Sequence, residues 1–312
     1  MISLVGYTGF VGSNIYASAG NEIDKVYNSK NIEEAFGTNP ELLIFAGLRA
    51  EKYLADKFPD QDMARIEEAE DNIKKINPKR LVLISSVDVF ANPVNVDETS
   101  EIITEGLHPY GLNRYRLEKW VRENYPDALI IRLPGLFGKN IKKNFIYDYI
   151  NVIPFMLKAS KFMELSEQCE ELIDYYEPLD NGFWKFKAHE CMEEDREKLK
   201  KTFLEIGFSA LNFTDSRSVY QFYNLSQLWF DIKKCIDADI KLWHPATEPV
   251  SAAELYKHLS GEDFVNELPG KEPAFYDYRT IHDGLFGGSN GYIKNKAKVL
   301  EEISDFVSCQ GL

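Results

Sequence analysis

The chain has 312 residues and a formal net charge of −14 at pH 7. This length suits one large domain or two unequal ones. The acidic balance argues against nucleic acid and anionic membrane surfaces as partners. There is no apolar run long enough to cross a bilayer and no basic segment typical of a signal peptide, so we expect a cytoplasmic protein.

Cysteine and histidine usage indicates neither a disulfide framework nor a metal site. The four cysteines are scattered without a CxxC pair, and the five histidines lack the spacing of metal ligands. Reduced thiols are the simplest interpretation. We therefore expect no bound metal ion.

The first predicted strand leads into a glycine-rich turn. Ile2–Val5 is a short apolar run, and Gly6, Gly9 and Gly12 follow it with the spacing GxxGxxG. Gly6 allows a sharp turn, Gly9 lets the backbone approach a pyrophosphate, and Gly12 lets the next helix pack on its strand. A helix from about Phe10 would direct its first amides at the phosphates. An ordinary strand–turn–helix is the alternative interpretation.

The second predicted strand, residues 24–27, ends in Asn28-Ser29-Lys30. A Rossmann unit that prefers NAD usually has a carboxylate here, which binds the ribose 2′-hydroxyl. This tip is polar and then cationic, so Ser29 and Lys30 can receive a 2′-phosphate instead. The sequence thus favours NADP over NAD, with a solvated turn as the alternative.

Further strands alternate with helices. A short helix over 31–37 precedes a strand over 41–46, and a polar helix over 60–76 precedes a strand over 79–85. This alternation indicates a parallel sheet covered on both faces. Ser85, Ser86 and Asp88 follow at a strand end, where open α/β sheets place their chemistry, and HPYGLNR at 108–114 opens the next helix.

The N-terminal part resembles the extended short-chain dehydrogenases/reductases of the NAD(P)-dependent epimerase/dehydratase family. The matching pieces are GYTGFVGSN, the FAG loop, ISSVDVF, PYGLNR with Glu118 after it, and RLPGLFG. They follow the family's order and approximate spacing over residues 1–138. The short span before FAG is similar to the dTDP-4-dehydrorhamnose reductase branch.

The resemblance implies an α/β fold with a doubly wound parallel sheet (Rossmann) and a smaller, mostly helical C-terminal substrate lobe. We predict an NAD(P)-binding domain over 1–138 and a substrate-binding lobe over 139–312. Segments at about 216–250 are expected to return and complete the Rossmann domain. Residues 151–210 have an acidic, helical pattern that matches nothing in the family.

The resemblance also implies contacts to the nicotinamide dinucleotide from the glycine-rich turn, the tip of the second strand, the FAG loop and the later strand ends. The predicted cofactor-binding residues are Gly6, Thr8, Gly9, Phe10, Val11, Gly12, Asn28, Ser29, Lys30, Ala46, Gly47, Leu48, Ser85, Tyr110, Arg114 and Leu133.

In this family a Ser or Thr and a Tyr hold the reacting oxygen, and a Lys one helical turn later lowers the pKa of the Tyr. By resemblance, Ser86 is the polarising hydroxyl and Tyr110 the acid/base. Arg114 occupies the lysine position, so we expect it to lower the pKa of Tyr110 without giving up a proton. Tyr115 also starts a YxxxK, but it lies about 140° around the helix from Tyr110.

The predicted substrate ligands are Ser86, Asp88, Lys143, Asn144 and Arg217. Asp88 is either the helper acid of a dehydratase or a surface carboxylate. Lys143 belongs to a basic loop that either attracts a diphosphate or is merely solvated. By resemblance Arg217 binds the substrate diphosphate, and the alternative is a structural arginine paired with a carboxylate such as Asp215.

These features predict an NAD(P)-dependent epimerase, dehydratase or reductase of a nucleotide-linked sugar, and they are compatible with a homodimer. One alternative is a catalytically weakened, regulatory NAD(P)-binding protein, because Arg114 replaces the lysine and 151–210 is foreign to the family. Another is a reductase of a non-sugar carbonyl.

Overall fold

The computed structural model describes residues 1–310, except for the side chains of residues 53 and 54. These residues form two compact units, each built from separate stretches of chain. The first unit contains Met1–Ile141, Val219–Val250 and Phe275–Ile303. The second contains Lys142–Ser218, Ser251–Ala274 and a C-terminal segment from Ser304.

The strands alternate with helices through the first 133 residues, which is the pattern of a parallel α/β sheet. The strands are β1 Ile2–Val5, β2 Lys25–Tyr27, β3 Leu42–Phe45, β4 Leu81–Ser86, β5 Leu129–Leu133, β6 Gly135–Phe137, β7 Met156–Lys158, β8 Tyr176–Pro178, β9 Phe183–Phe186, β10 Val219–Tyr220, β11 Phe222–Asn224, β12 Leu242–Trp243 and β13 Val250–Ser251. The helices are α1 Phe10–Ala19, α2 Lys52–Lys57, α3 Pro59–Ile76, α4 Pro109–Asn124, α5 Phe145–Asn151, α6 Ala159–Gln168, α7 Leu172–Tyr175, α8 Glu193–Glu205, α9 Leu228–Asp237, α10 Ala252–Ser260 and α11 Lys296–Ser308.

The first unit is organised on a six-stranded parallel sheet with the order β12-β5-β4-β3-β1-β2. Val5 lies beside Phe45 and Tyr27 at the carboxyl ends of β1, β3 and β2, and Ser86 lies beside Leu133 at the ends of β4 and β5. The glycine-rich turn and the serine pair therefore belong to the same edge of the sheet, where α/β proteins bind ligands.

Alternating side chains in the strands supply two hydrophobic layers. In β4, Val82 packs with Leu4 of β1 on one face, while Leu81 and Leu83 pack on the other with Ile66 of α3. Helices α1 and α9 cover the first face, and α3 and α4 cover the second. Burial on both faces explains why these strands are mostly apolar in sequence.

Within the second unit, residues 152–208 have a hydrophobic core of their own. Strands β7, β9 and β8 form an antiparallel sheet, and α6 and α8 pack on it through Phe162, Leu165, Leu199 and Phe203. The prediction that 151–210 is simply helical was therefore wrong in part. The strands are only three or four residues long, which is too short for an alternating pattern to separate from the flanking helices.

The predicted Rossmann architecture is confirmed. The strands Ile2–Val5 and Leu129–Leu133 have the predicted bounds, and the other strands of this part differ by one or two residues at their ends. Helix α2, Lys52–Lys57, was not predicted. It follows the FAG loop directly, and it supplies two charged side chains to the site described below.

Candidate functional site

The glycine-rich turn after β1 is shaped by close backbone contacts. Gly6 has a φ of +91°, and a Cβ on it would lie 2.4 Å from the Ala46 carbonyl oxygen. A Cβ on Gly12 would lie 2.2 Å from the Gly6 carbonyl oxygen. Both glycines are thus required by the protein's own packing, as predicted for the turn and for the helix–strand contact.

Gly9 differs from these two glycines because it is less closely surrounded. It is exposed, and its nearest neighbour, the Gly6 carbonyl oxygen, would lie 3.2 Å from an added Cβ. As the N-cap of α1 it has no side chain to bond the first amides of the helix. Amides left in this way at a helix N-terminus suit phosphate oxygens, so the residues present fit the diphosphate of a dinucleotide.

The turn after β2 is held by two asparagines. The Asn28 amide donates to Asn31 Oδ1 at 2.8 Å, and the Lys30 amide donates to Asn28 Oδ1 at 2.8 Å. Ser29 and Lys30 are exposed at the end of this turn. The predicted NADP contacts are therefore accessible from solvent, while the Asn28 side chain is engaged by the turn itself.

The remaining predicted cofactor residues line the carboxyl edge of the sheet. Thr8 and Gly47 are exposed, whereas Leu133 is buried. Phe10, Val11, Ala46 and Leu48 are half-buried. Leu133 can thus contact a cofactor only through the backbone at the end of β5. The exposed residues Thr8 and Gly47 belong to the glycine-rich turn and the FAG loop.

Tyr110 is brought to Ser86 by the way α4 begins. Pro109 is its first residue, and His108 is the N-cap, whose Nδ1 accepts from the Gly111 amide at 3.1 Å. Gly111 has no side chain where a Cβ would lie 2.1 Å from the Asp88 carbonyl oxygen. This approach of α4 to the turn after β4 places the Tyr110 hydroxyl in hydrogen-bonding reach of Ser86.

The net shift of the Tyr110 pKa is opposite to the prediction, although the Arg114 charge acts in the predicted direction. The side chain is buried, and burial raises the pKa of Tyr110 above its ordinary value. The Arg114 charge and the Ser86 hydrogen bond lower this pKa, as expected of a cation and a donor, while the Asp88 charge raises it further. Desolvation is the largest of these effects, so a lowered pKa was the wrong expectation for the protein without ligands.

Arg114 lies on the Tyr110 face of α4, but its guanidinium is bonded to a carboxylate. Its guanidinium carbon is 4.4 Å from the centre of the Tyr110 ring. Its Nη1 and Nη2 donate to the two carboxylate oxygens of Asp62 at 3.0 and 3.1 Å, and Nη2 also donates to the Arg49 carbonyl at 2.9 Å. Both charged side chains are buried. The predicted cofactor contact of Arg114 would have to compete with this bidentate pair.

Asp88 joins a second group of polar side chains beside Tyr110. Its Oδ1 lies 3.2 Å from Lys52 Nζ of α2 and accepts from the Tyr276 hydroxyl at 3.3 Å. Asp56, also in α2, accepts from the Tyr110 amide at 3.3 Å. Asp88 is interpreted either as a helper acid or as a surface carboxylate. Because its side chain is partly buried and paired, the structure favours a residue of the site over a surface carboxylate.

His108 completes this group of side chains. Its ring stacks on that of Tyr110 with centres 6.2 Å apart, and its Nδ1 lies 3.7 Å from Asp56 Oδ1. Burial and the Lys52 charge hold the pKa of His108 below its ordinary value, against the opposing charges of Asp88 and Asp56. A neutral imidazole is consistent with Nδ1 accepting from the helix amide.

A buried polar chain lies behind the strand ends. Ser85 donates to Glu118 at 2.6 Å, and Arg132 donates to both oxygens of Glu118 and contacts His244 Nε2 at 3.3 Å. Burial and the Arg132 charge lower the pKa of His244 to about 3. The Ser85 hydroxyl is thus used inside the protein, so only its backbone is left for the predicted cofactor contact.

The predicted substrate residues of the second unit are largely engaged by their own neighbours. Asn144 caps α5, its side chain accepting from the Ile146 and Tyr147 amides at 3.1 and 3.2 Å. Arg217 makes two bonds to Asp215, at 2.9 and 2.8 Å, and lies 3.2 Å from Glu267. The structural alternative for Arg217 is therefore what the geometry favours. Lys143 is exposed at its surface.

Sequence reasoning missed Lys52, Asp56, Asp62 and Tyr276. For Asp62 a signal was present, because Asp62, Ile66, Ala69, Ile73 and Ile76 recur at helical spacing and are all buried on one side of α3. A carboxylate on an apolar stripe needs a buried partner. Lys52 and Asp56 had no such signal, since α2 itself was not predicted.

Solved structures of nucleotide-sugar enzymes share this fold. A dTDP-4-dehydrorhamnose reductase from Yersinia enterocolitica aligns with a TM-score of 0.63 and 12% identity over 98% of each chain. The Bacillus anthracis reductase in complex with NADP gives 0.62 and 15% over 97% of this chain and 96% of that one. A UDP-N-acetylglucosamine 4-epimerase from Methanobrevibacter ruminantium, in complex with UDP-N-acetylmuramic acid, gives 0.62 and 13% over 98% and 96%.

No protein-family model and no curated protein sequence matches the chain. The structural likeness at these identities thus shows the fold alone. Within residues 1–310, no helix combines the length and hydrophobicity needed to cross a membrane. The same part of the chain holds no group of three or more His, Cys, Asp or Glu side chains arranged to share a metal ion.

Proposed function

We propose that the protein is an NAD(P)-dependent oxidoreductase that acts on a carbonyl or hydroxyl of a nucleotide-linked sugar. The observation that carries this proposal is the approach of Tyr110 to Ser86 at the sheet edge that also bears the open glycine-rich turn. The structural likeness to dTDP-4-dehydrorhamnose reductases and a UDP-N-acetylglucosamine 4-epimerase supports the substrate class.

When bound, the nicotinamide supplies or accepts the hydride. The protein's own residues manage the proton. Ser86 holds the reacting oxygen, and Tyr110 donates a proton to it in reduction or accepts one in oxidation. A Tyr110 pKa raised by burial keeps the hydroxyl protonated, which suits the reductive direction. Arg114 stabilises the position of the ring through its contact with the aromatic face.

The bound dinucleotide is expected to lie with its diphosphate at Gly9 and the first turn of α1. Ser29 and Lys30 are exposed at the end of the turn after β2, and they support NADP as the preferred form. Equal binding of NADPH and NADH would contradict this preference without affecting the rest of the proposal.

A specific observation favours a second candidate, a dinucleotide-binding protein with weakened catalysis. Asp62 offsets the charge of Arg114, and Tyr110 is buried with a raised pKa. These features would slow any step that needs the tyrosinate. Such a protein would bind the same ligands and turn over slowly or not at all.

The experiment is a thermal-protection screen followed by turnover. NADPH, NADH and a panel of dTDP-, UDP- and GDP-linked sugars are each mixed with the protein, because a ligand of the folded state raises its melting temperature. Protection by a dinucleotide together with at least one nucleotide sugar is the expected result. Dinucleotide oxidation is then followed with the 4-keto form of the protecting sugar.

Three results separate the candidates. Turnover with a nucleotide sugar supports the proposed function. Protection by both ligands without turnover supports the weakened protein. Dinucleotide protection without any nucleotide-sugar protection, combined with turnover of a simple ketone, would move the substrate class to non-sugar carbonyls.

A further inference from the structure

Arg114, the expected cationic partner of Tyr110, is also held by a carboxylate. Both Nη atoms of Arg114 are bonded to Asp62, and the pair is buried beside α3. The Arg114 charge still lowers the pKa of Tyr110, but it does not outweigh burial and the opposing charge of Asp88. A further positive charge beside Asp88 would make the ionisation of Tyr110 easier.

Helix α2 supplies that charge from outside α4. Lys52 is its first residue, and Lys52 Nζ lies 3.2 Å from Asp88 Oδ1. The same carboxylate oxygen accepts from the Tyr276 hydroxyl at 3.3 Å. The Lys52 side chain is 42% exposed and that of Asp88 is 21% exposed, so this pair is accessible from solvent.

We propose that Lys52 is a positioning residue of this site, whose ammonium holds the Asp88 carboxylate and offsets its negative charge beside Tyr110. The inference rests on the proposed function, because only an enzyme that uses Tyr110 as acid/base needs such a cation. It adds a residue from a helix that precedes α4 by about 50 positions in the chain and that the family resemblance did not indicate.

The charged and titratable groups around Tyr110 define what Lys52 can do. Asp88 comes from the turn after β4 and Arg114 from α4 itself, and both act on the tyrosine hydroxyl. Asp56 of α2 binds the Tyr110 amide, and His108 stacks on the ring. Tyr276 binds Asp88 from the late loop, and Asp62 of α3 binds Arg114.

Among these groups, Asp88 is the one whose negative charge disfavours the ionisation of Tyr110. It raises the pKa of Tyr110, so a cation in contact with Asp88 offsets that effect. The charge of Lys52 also lowers the pKa of His108. Removal of Lys52 should therefore leave Asp88 unopposed and raise the Tyr110 pKa further, while removal of Asp88 should lower it.

The test measures the ionisation of Tyr110 directly. 3-Fluorotyrosine is incorporated at position 110 of the full-length protein, and its ¹⁹F resonance is titrated with pH. We expect Lys52→Met to raise the measured pKa by about 0.5–1 unit, the size of an ordinary environmental shift. Lys52→Arg, which keeps the cation, should stay near the parent value, and Asp88→Asn should fall below it.

Lys57→Met is the matched control, because Lys57 is an exposed lysine of the same helix. It removes the same charge at the far end of α2 and should leave the resonance of position 110 unchanged. An equal shift in Lys57→Met, or no shift in Lys52→Met with the fold intact, would overturn the role of Lys52.

The same variants are examined with bound dinucleotide and, where a substrate turns over, by pH profile. In reduction, Lys52→Met should move the alkaline loss of kcat/KM to higher pH, since Tyr110 would stay protonated longer. A pKa shift in a protein that binds no dinucleotide would contradict the proposed function while keeping the charge relationship. Dinucleotide protection without a pKa shift would contradict the role of Lys52 alone.

Discussion

Asp62 binds Arg114 through both carboxylate oxygens, at 3.0 and 3.1 Å, and thereby ties α3 to α4. The two side chains are buried. Asp62 also accepts from the Asn113 amide nitrogen at 3.1 Å. An ion pair of this kind is weak evidence for stability as a whole, but the loss of one partner leaves a buried charge without compensation.

Asp62→Ala should therefore destabilise the protein strongly. We expect a loss of about 3–5 kcal/mol in the free energy of unfolding, because Arg114 would stay buried and unpaired. Urea denaturation followed by circular dichroism measures it. Asp60→Ala in the same first helical turn is the control and should change stability little, since Asp60 is exposed.

Replacing both Asp62 and Arg114 tests whether the unpaired buried charge causes the loss of stability. Asp62→Leu combined with Arg114→Met should be far less destabilising than either single change, because no buried charge remains.

Arg114→Lys keeps a cation but cannot make the bidentate pair. If the site has been rebuilt around arginine, Arg114→Lys should lower turnover. A higher rate in Arg114→Lys would identify a weakened enzyme.

Tyr110→Phe should abolish most of the hydride transfer. Loss of a positioned proton donor typically costs about 10²–10⁴-fold in rate, while the ring, and with it dinucleotide binding, is retained. Stopped-flow oxidation of NADPH measures the step once a substrate is known. Tyr115→Phe is the control on the same helix, and loss of activity in that variant alone would show that the acid/base had been assigned to the wrong tyrosine.

Gly9→Ala should weaken dinucleotide binding by about 10-fold or more without unfolding the protein, because its Cβ would occupy space predicted for a diphosphate. Within the protein this Cβ meets only the Gly6 carbonyl oxygen, at 3.2 Å. Gly12→Ala should instead destabilise the fold, since its Cβ would lie 2.2 Å from that oxygen. Calorimetry with NADPH, alongside melting curves, separates the two effects.

Lys30→Glu should weaken NADPH binding and leave NADH binding nearly unchanged. Lys30 is exposed at the end of the turn after β2, where a 2′-phosphate would approach and a carboxylate would repel it. Dissociation constants for both dinucleotides give the selectivity. Lys25→Glu, on an exposed residue at the start of β2, controls for the general effect of charge.

Acid stability should depend on Arg217. The guanidinium of Arg217, with the Leu268 amide, holds the pKa of Asp215 well below its usual range. A lowered folded-state pKa contributes stability above the unfolded-state value, near 4, which is lost as pH falls through the folded-state pKa. Below about pH 4, Arg217→Ala should therefore lose stability less steeply than the parent.

Urea midpoints measured from neutral pH to pH 2 test this expectation. The same variant also bears on the substrate. Because Asp215 and Glu267 already contact Arg217, we expect Arg217→Ala to show no selective loss of nucleotide-sugar protection. A selective loss with unchanged acid stability would return Arg217 to the diphosphate site.

The parts of the fold that follow from local pattern could be predicted from sequence. The strand Leu129–Leu133 is apolar except for Arg132 because it is buried on both faces, and its bounds follow directly. The spacing of Gly6 and Gly12 reports close backbone contacts within one supersecondary unit. Tyr110 and Ser86 could be paired only through the family resemblance, since no local rule joins a strand end to a helix that begins 23 residues later.

The electrostatic partners could not be found in this way. The pKa of Tyr110 depends on burial and on Asp88. The position of the Arg114 guanidinium depends on Asp62 of α3. Lys52 reaches Asp88 only because α2 forms directly after the FAG loop. These contacts depend on how separate helices pack together, which hydrophobic periodicity does not specify.

The last strand of the sheet has a consequence for how this chain is made. Strand β12, Leu242–Trp243, pairs with β5 at Ile130 and Ile131, more than 100 residues earlier. During synthesis β5 therefore leaves the ribosome as an apolar strand with an open edge and stays so until residue 243 has emerged. Open edges of this kind attract other chains, so ribosome-bound fragments ending between residues 141 and 240 should recruit chaperones more strongly than longer ones.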